Sequence, residues 1–274
     1  MTRVLPALVQ SLAAVAWGAV PIYFYATGLI ARYLAPTFHL ISLAGGLGMI
    51  VLGLFNLLKI RQAAPGCCDH RHDHDHDHHE QSPLTTILLM IAPVAVCVFA
   101  TEHEYSVRAL AWKGLYKARP AATLFTARNS TFTRQELEKS TTRTTDGHYR
   151  LQLTELFWSA GDPDLMQVYQ GLPAELEGRI IREDDDLNPD RNRRRLYRVF
   201  MTCCAADAQV LGVSIQFDPA DLPDLADLPD RTWVRVAGTV AFESRDDQHR
   251  ALLEVSRIEA LPDPHPKSSF LAPF

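Results

Sequence analysis

The fold expected for the C-terminal half of the chain is indicated by one stretch, Ala174-Glu175-Leu176-Glu177-Gly178-Arg179-Ile180. Apolar residues recur there at every second position, and the same phase returns in Val234-Arg235-Val236-Ala237-Gly238-Thr239-Val240. Period-two alternation is typical of half-buried strands, and a glycine inside a strand marks a bulge or a sharp coil. A small five-stranded barrel of the OB type needs such a bend to close its first strand on itself.

The surrounding sequence supplies further elements of the same fold. Three more runs are predicted to be strands: Arg195–Thr202, Gly212–Phe217 and Ala251–Ile258. Alternation from His148 to Leu153 also favours a strand, and short helices are expected at Thr133–Lys139 and, after Asp162-Pro163-Asp164, at Leu165–Tyr169. We therefore expect a soluble, mainly β, OB-like barrel over residues 148–262, a juxtamembrane connector over 102–147 and a tail over 263–274.

The charge of this half excludes one class of partner. From Glu102 onward there are 22 Lys and Arg residues against 27 Asp and Glu, a net of −5. No basic face is available to neutralise phosphates, so nucleic acid is not expected as a partner. No phosphate-binding loop, dinucleotide fingerprint or nucleophile elbow is present, and no catalytic set assembles, so we do not expect an enzyme. The loops Glu183–Arg194 and Asp218–Arg231 are expected to be solvated surface.

The N-terminal part, residues 1–101, has the composition of a transmembrane domain. Val4–Ala31 has no charged residue over 28 positions, Thr37–Leu58 has none over 22, and Leu84–Thr101 is apolar over 18. A bilayer core requires about 20 apolar residues, so these segments predict about three transmembrane helices. The fold class expected for the whole chain is thus an α+β membrane protein.

The alternative for the N-terminus is a signal peptide, because Arg3, an apolar run and Ala14-Val15-Ala16 imitate its cleavage pattern. The apolar run continues well beyond Ala16, which favours an uncleaved helix. Basic residues in short loops set orientation, and those of the N-terminal tail and the second loop place both in the cytoplasm. With three spans in an inner or plasma membrane, the C-terminal domain is expected outside, although the basic residues after the third span favour the opposite orientation.

Between the second and third spans lies a loop, residues 67–80, that is rich in metal-binding side chains. Its candidate ligands are Cys67, Cys68, His70, His72, Asp73, His74, Asp75, His76, Asp77, His78 and His79. Imidazoles bind zinc, copper, nickel and cobalt, carboxylates add oxygen ligands, and thiols favour softer ions. A chelating loop between membrane helices indicates the handling of transition metal at a membrane. The alternative is a polar low-complexity linker that binds metal only incidentally.

A second thiol pair, Cys203 and Cys204, follows the strand predicted at Arg195–Thr202. Adjacent residues of a regular strand point to opposite faces, so the two thiols can share a ligand only if the strand ends or bulges there. Together with Asp207 they offer a metal at most three ligands. The alternatives are a structural pair with one buried cysteine, or a thiol oxidoreductase. The latter is disfavoured because a disulfide between neighbouring residues is strained.

These features resemble the YcgQ-like family of bacterial two-component permease subunits, which carry a C-terminal domain of unknown function. The resemblance covers most of the chain and rests on the helix pair joined near Ala31–Pro36, the His/Asp-rich loop, the segment Arg198–Ala208 and the strand repeats at Gly178 and Gly238. It implies an accessory partner of a larger polytopic membrane permease and the transport of an inorganic ion.

The sequence and the resemblance together predict an integral membrane accessory subunit of a permease. Its cargo is expected to be a divalent transition metal, with zinc or cobalt favoured, and its other contacts are the permease and membrane lipid. The His/Asp-rich loop would concentrate the metal, and Cys203, Cys204 and Asp207 would receive or present it. The alternative is a membrane-anchored OB-like binding or assembly module of the cell envelope, with no direct role in metal transport.

Overall fold

The computed structural model describes residues 4–62, 91–93, 95–96, 107–116, 132–183, 186, 188, 192–223, 225, 228–245, 248–263 and 270–271. The chain divides into two compact units, Met1–Tyr105 and Ser106–Phe274. The first unit is helical, and the second is built around a β-barrel.

The N-terminal unit is a pair of long helices. Helix α1 spans Val4–Ala26, the short α2 spans Ile30–Tyr33, a 3-10 turn covers Pro36–Phe38, and α3 spans His39–Gln62. Two segments, Ala7–Ala26 and Pro36–Ile60, are long and apolar enough to cross a membrane. Two of the three predicted spans are thus present as long apolar helices. Leu84–Thr101 lies outside the described residues except for 91–93 and 95–96, which are helical.

Glycines allow α1 and α3 to approach closely. A Cβ on Gly18 would lie 2.5 Å from the carbonyl oxygen of Gly46, and one on Gly53 would lie 2.7 Å from Val15 Cγ2. Small residues at a helix interface let two backbones come together, which is a common way for helices to associate in lipid. By contrast, Gly45 and Gly48 face open space.

Among the described residues of the C-terminal unit, four short helices are seen from end to end. Helix α4 spans Val107–Trp112, α5 spans Arg134–Ser140, α6 spans Leu153–Ser159 and α7 spans Pro163–Tyr169. The helices predicted at Thr133–Lys139 and after Asp162 are confirmed, and Thr133 and Asp162 are their N-caps. Their side chains accept hydrogen bonds from backbone N–H groups that have no partner within the helix.

The described part of this unit also forms seven strands. They are β1 at Tyr149–Arg150, β2 at Pro173–Arg182, β3 at Arg193–Phe200, β4 at Gln209–Gln216, β5 at Trp233–Arg245, β6 at Gln248–Ala260 and β7 at Phe270–Leu271. Strands β2 to β6 close into a barrel in the order β2-β5-β6-β4-β3-β2. The prediction of a small five-stranded barrel is therefore confirmed. All its pairs are antiparallel except β4–β6, which is parallel.

The two glycines of the strand repeat lie where the barrel bends. At Gly238 the β5–β6 register shifts, and a Cβ there would lie 2.1 Å from the Glu254 carbonyl oxygen. Gly178 lies where β2 leaves β5 and begins to pair with β3, and its Cβ would lie 2.9 Å from the Tyr197 carbonyl oxygen. Both positions therefore require a residue without a side chain, as the sequence pattern predicted.

The alternating residues of the barrel strands point into one core. Leu176, Ile180, Leu196, Val213 and Leu253 belong to this core and are at most 1% exposed. Helix α6 packs against β2, β4 and β6 and contributes Leu153, Leu156 and Phe157 to the same core.

The prediction of a strand from His148 to Leu153 is wrong for most of these residues. Only Tyr149 and Arg150 are in a strand, and α6 begins at Leu153. The reason is a capping box, in which Gln152 and Glu155 each bond the other's backbone N–H group. This reciprocal pair stabilises a helix start and overrides an alternation of only six residues.

Candidate functional site

The candidate site is a turn that begins where β3 ends. Met201 is buried, and beyond it residues 202–207 form bends and a turn, with a single β-bridge residue at Cys204. The Asp207 carboxylate ties the turn together, because it accepts hydrogen bonds from the backbone N–H of Thr202 at 3.1 Å and of Cys203 at 2.7 Å. The Asp207 N–H in turn donates to the Cys204 carbonyl at 3.0 Å. The alternation of a strand therefore no longer applies at the two cysteines.

Because the strand has ended, the two thiols converge. The Sγ atoms of Cys203 and Cys204 lie 3.7 Å apart, and both thiols are free. Cys203 is exposed and Cys204 is half-buried, so the structural alternative that needs one buried cysteine does not describe this pair. A disulfide requires the sulfurs at about 2.05 Å, so forming one would need the turn to rearrange.

A carboxylate completes the group. The ligand atoms of Cys203, Cys204 and Asp207 lie within 4.8 Å of one another. In tetrahedral zinc sites each thiolate sulfur lies about 2.3 Å from the metal, so two such sulfurs are about 3.8 Å apart. A sulfur and a carboxylate oxygen on the same zinc ion are about 3.6 Å apart. The observed sulfur separation already fits this geometry, whereas the carboxylate would have to move inward. Three protein ligands leave a fourth position open, as in sites that exchange ligands rather than closed structural ones.

The hydrogen bonds of the turn make the two thiols chemically different. The pKa of Cys203 is raised to about 12, because the Asp207 carboxylate, and next the Cys204 sulfur, share its single S–H as hydrogen-bond acceptors. The pKa of Cys204 is lowered by hydrogen bonds to its sulfur, first from the Ala206 N–H and then from the Cys203 thiol. Burial acts to raise the pKa of Asp207. Hydrogen bonds from the Cys203 thiol and from backbone N–H groups have a larger combined effect, so the pKa of Asp207 is lowered. Since thiolate is the metal ligand, a metal must displace the Cys203 proton.

One residue that binds this turn has no signal in the sequence. Lys113 donates from its ammonium group to the carbonyl oxygens of Ala205 at 2.9 Å and Ala208 at 3.2 Å. The contact joins residues more than 90 positions apart, and Lys113 belongs to no motif. Only the tertiary structure reveals it.

The remaining predicted ligands lie outside the described residues. These are Cys67, Cys68, His70, His72, Asp73, His74, Asp75, His76, Asp77, His78 and His79. Their role as a chelating loop therefore stays a prediction. His39, at the start of α3, is described: its Nε2 lies 2.9 Å from the Leu34 carbonyl oxygen, a contact within the helical unit.

A second surface feature of the barrel is an open polar cleft of about 490 Å³. It lies where β4 ends beside β5 and β6. Its lining residues are Asn192, Gln216, Phe217, Asp218, Pro219, Thr239, Glu254 and Val255. The cleft offers amide, carboxylate and hydroxyl groups to a ligand, and none of its described lining residues is a cysteine or histidine.

Comparison with known families covers both units. A sequence model of the DUF1980 N-terminal domain matches residues 9–108, and one of the DUF1980 C-terminal domain matches residues 125–269. No curated protein matches the chain in a sequence search. The chain belongs to the DUF1980 family, in agreement with the resemblance to YcgQ-like proteins of unknown function.

Proposed function

We propose that this member of the DUF1980 family is an integral membrane accessory subunit of a larger permease and handles a divalent transition metal, with zinc favoured. The observation that carries the proposal is the sulfur separation of 3.7 Å between Cys203 and Cys204, beside the Asp207 carboxylate. This spacing suits tetrahedral zinc, and the exposed position of the turn allows the metal to be passed on. The long apolar helices α1 and α3 would dock on the permease, because so few helices form a poor pathway of their own.

In this scheme the two metal-binding regions have different tasks. The His/Asp-rich loop, with many exchangeable ligands, binds metal with modest affinity and selectivity and raises its local concentration. The turn at Cys203, Cys204 and Asp207 offers fewer and softer ligands in a fixed arrangement. It receives or presents one ion at a time.

The test uses the full chain with the other metal ligands removed. In a background with residues 69–80 deleted and Cys67→Ser, Cys68→Ser and Cys97→Ser, the only remaining cysteines are Cys203 and Cys204. We expect this protein to retain one zinc ion after dialysis and to give a thiolate-to-metal absorption band with cobalt. Adding Cys203→Ser and Cys204→Ser should abolish both signals. Equal metal content with and without the cysteine pair would remove this site from the scheme.

A second candidate is the OB-like binding or assembly module, and one observation limits how it would work. Barrels of the OB type bind oligonucleotides and oligosaccharides on the face of their second and third strands, which here are β3 and β4. The chain's own residues Leu110 and Leu115 are buried beside that face, so a ligand would have to use the polar cleft instead. Deleting residues 69–80 distinguishes the candidates: an assembly module keeps its cellular phenotype, whereas a metal subunit shows altered metal tolerance.

Thiol redox chemistry is a third candidate, supported by the opposite pKa shifts of Cys203 and Cys204. Such a pair has one sulfur prepared to attack and one that stays protonated. Free-thiol quantification on protein isolated from oxidised cells tests this possibility. A reversible loss of two thiols that depends on both cysteines would favour redox chemistry over metal binding.

A further inference from the structure

Residues 107–116 cover the outer face of β3 and β4. Leu110 and Leu115 are 2% and 0% exposed, while Trp112 on the other side of α4 is 85% exposed. The backbone approaches the sheet at Gly212, where an added Cβ would lie 2.9 Å from the Leu115 carbonyl oxygen. The absence of a side chain at Gly212 therefore allows this segment, which we call the bracket, to lie directly on the strands.

A buried arginine fixes one end of the bracket. The Arg195 Nη1 group donates to the Leu115 carbonyl at 2.7 Å, and its Nε donates to Glu183 Oε1 at 2.8 Å. Ser214 completes this group, since its hydroxyl donates to Glu183 Oε2 at 2.6 Å. The bracket is thus bound to β3 and β4 by groups whose charge is compensated and that water does not reach.

Lys113, a residue of the bracket, forms hydrogen bonds with the candidate site. Its carbonyl accepts from the Val210 N–H at 3.0 Å, which fixes its backbone beside the first residues of β4. Its ammonium reaches the carbonyl oxygens of Ala205 and Ala208, on either side of Asp207. An ammonium group has three donors and no acceptor, so it can hold two carbonyl groups at once.

We propose that Lys113 is the positioning residue of the Cys203–Cys204–Asp207 turn, and that the bracket holds the two sulfurs at metal-binding distance. The assignment of metal to the turn rests on the proposed function; the positioning itself rests on the contacts of Lys113. The turn is exposed and lies beyond the end of β3. The Asp207 hydrogen bonds hold it from within, and the two Lys113 hydrogen bonds attach it to the bracket. A hydrogen bond from a charged donor contributes more than a neutral one, and Lys113 supplies two.

The test compares three variants in the full chain, in the background that keeps only Cys203 and Cys204. Lys113→Met removes the ammonium group and keeps the unbranched stem of the side chain, one atom shorter. Lys113→Arg keeps the charge, and Lys139→Met is a control on the exposed side of α5. The probe is a trivalent arsenical, which binds tightly only when it bridges two thiols. Lys113→Met loses both hydrogen bonds, so we expect it to weaken bridging and zinc binding by at least about tenfold, the factor for losing a single charge-assisted hydrogen bond. Lys113→Arg should restore most of both.

The outcomes separate the two proposals. Unchanged arsenical bridging in Lys113→Met would overturn the positioning role of Lys113. A second outcome is that the background protein binds no zinc while Lys113→Met still weakens arsenical bridging. That result would support the positioning role of Lys113 and refute the metal function. If Lys113→Met does not fold, hydrogen exchange of the amides of residues 203–207 in Lys113→Gln serves instead: faster exchange there than in Lys139→Met supports the proposal, and equal exchange overturns it.

Discussion

Glu183 and Arg195 form an ion pair of 2.8 Å whose side chains are 0% and 3% exposed. The pair lies where the loop after β2 and strand β3 meet the bracket. Removing one partner of a buried ion pair leaves the other charge uncompensated, which strongly destabilises the fold. Replacing both partners with apolar residues of similar size is often close to neutral.

We therefore expect Glu183→Ala to lower the free energy of unfolding by about 3–5 kcal/mol. Glu183→Leu combined with Arg195→Met removes both charges and should cost less than the single change. Chemical denaturation of the purified full chain, followed by circular dichroism, measures both. A double variant less stable than Glu183→Ala would show that the network contributes through its hydrogen bonds rather than by charge compensation.

A second prediction concerns the bend of the barrel. In Gly238→Ala the new Cβ would lie 2.1 Å from the Glu254 carbonyl oxygen, so β5 and β6 must separate locally. Overpacking of this kind costs about 1–3 kcal/mol, and the loss of strand pairing adds to it. The control is Thr239→Ala at the next, exposed position of β5. Equal melting temperatures for the two variants would contradict the role assigned to the bulge.

The helix pair allows a matched comparison between two glycines of α1 and α3. Gly18→Leu places a side chain where a Cβ already lies 2.5 Å from the Gly46 carbonyl oxygen, whereas Gly48→Leu points into open space. We expect the first variant to separate the helices and increase their proteolysis in detergent, because close packing drives helix association in an apolar solvent. The second should behave as the parent. Similar protease sensitivity in both would show that this contact does not hold the pair.

The two thiols of the turn should differ in reactivity. A thiol with a raised pKa has less thiolate at a given pH, so near neutral pH an alkylating reagent should modify Cys204 before Cys203. Asp207→Asn removes the first cause of the raised pKa of Cys203 and should speed its alkylation. Mass spectrometry of the modified peptides follows each site separately. Faster modification of Cys203 in the parent protein would contradict the hydrogen-bond arrangement.

Stability should depend on pH through Glu155. Burial raises the pKa of this carboxyl above its usual 4.5, against the backbone hydrogen bond from Gln152 that lowers it. The folded state then holds the proton more tightly than the unfolded one, so stability is greatest below the unfolded pKa and falls as pH rises through the folded pKa. Glu155→Gln keeps an acceptor for the Gln152 N–H and removes the charge. We expect it to be more stable than the parent at neutral pH, with an advantage that disappears as the solution is acidified below about pH 4.

Local patterns predicted most of the barrel. Alternation and the two strand glycines located β2 and β5, because one buried face and a tight bend both leave a signature within a few residues. The same kind of pattern failed from His148 to Leu153, where a capping box competed with it and started α6. Short alternations are weak evidence when a helix cap lies among them.

The candidate site was only partly visible in the same way. The sequence identified Cys203, Cys204 and Asp207 as possible ligands but left open whether adjacent thiols can converge. Convergence depends on where β3 ends and on the Asp207 hydrogen bonds to the turn, which are properties of the folded backbone. Lys113 has no signal of its own in the sequence, where it is one of several basic residues that follow the apolar segments.

The sequence by itself determined the first two of its three predicted apolar spans, a polar C-terminal half with a five-stranded barrel, and the glycine positions where that barrel bends. These features follow from local periodicity and composition, since burial of a face or a span imposes them on consecutive residues. Only the tertiary structure decided the parallel pairing of β4 with β6, the cover over the outer face of β3 and β4, and the contact of Lys113 with the turn. Those relationships join residues far apart in the chain, and no pattern in neighbouring residues records which distant groups will satisfy their charges and hydrogen bonds.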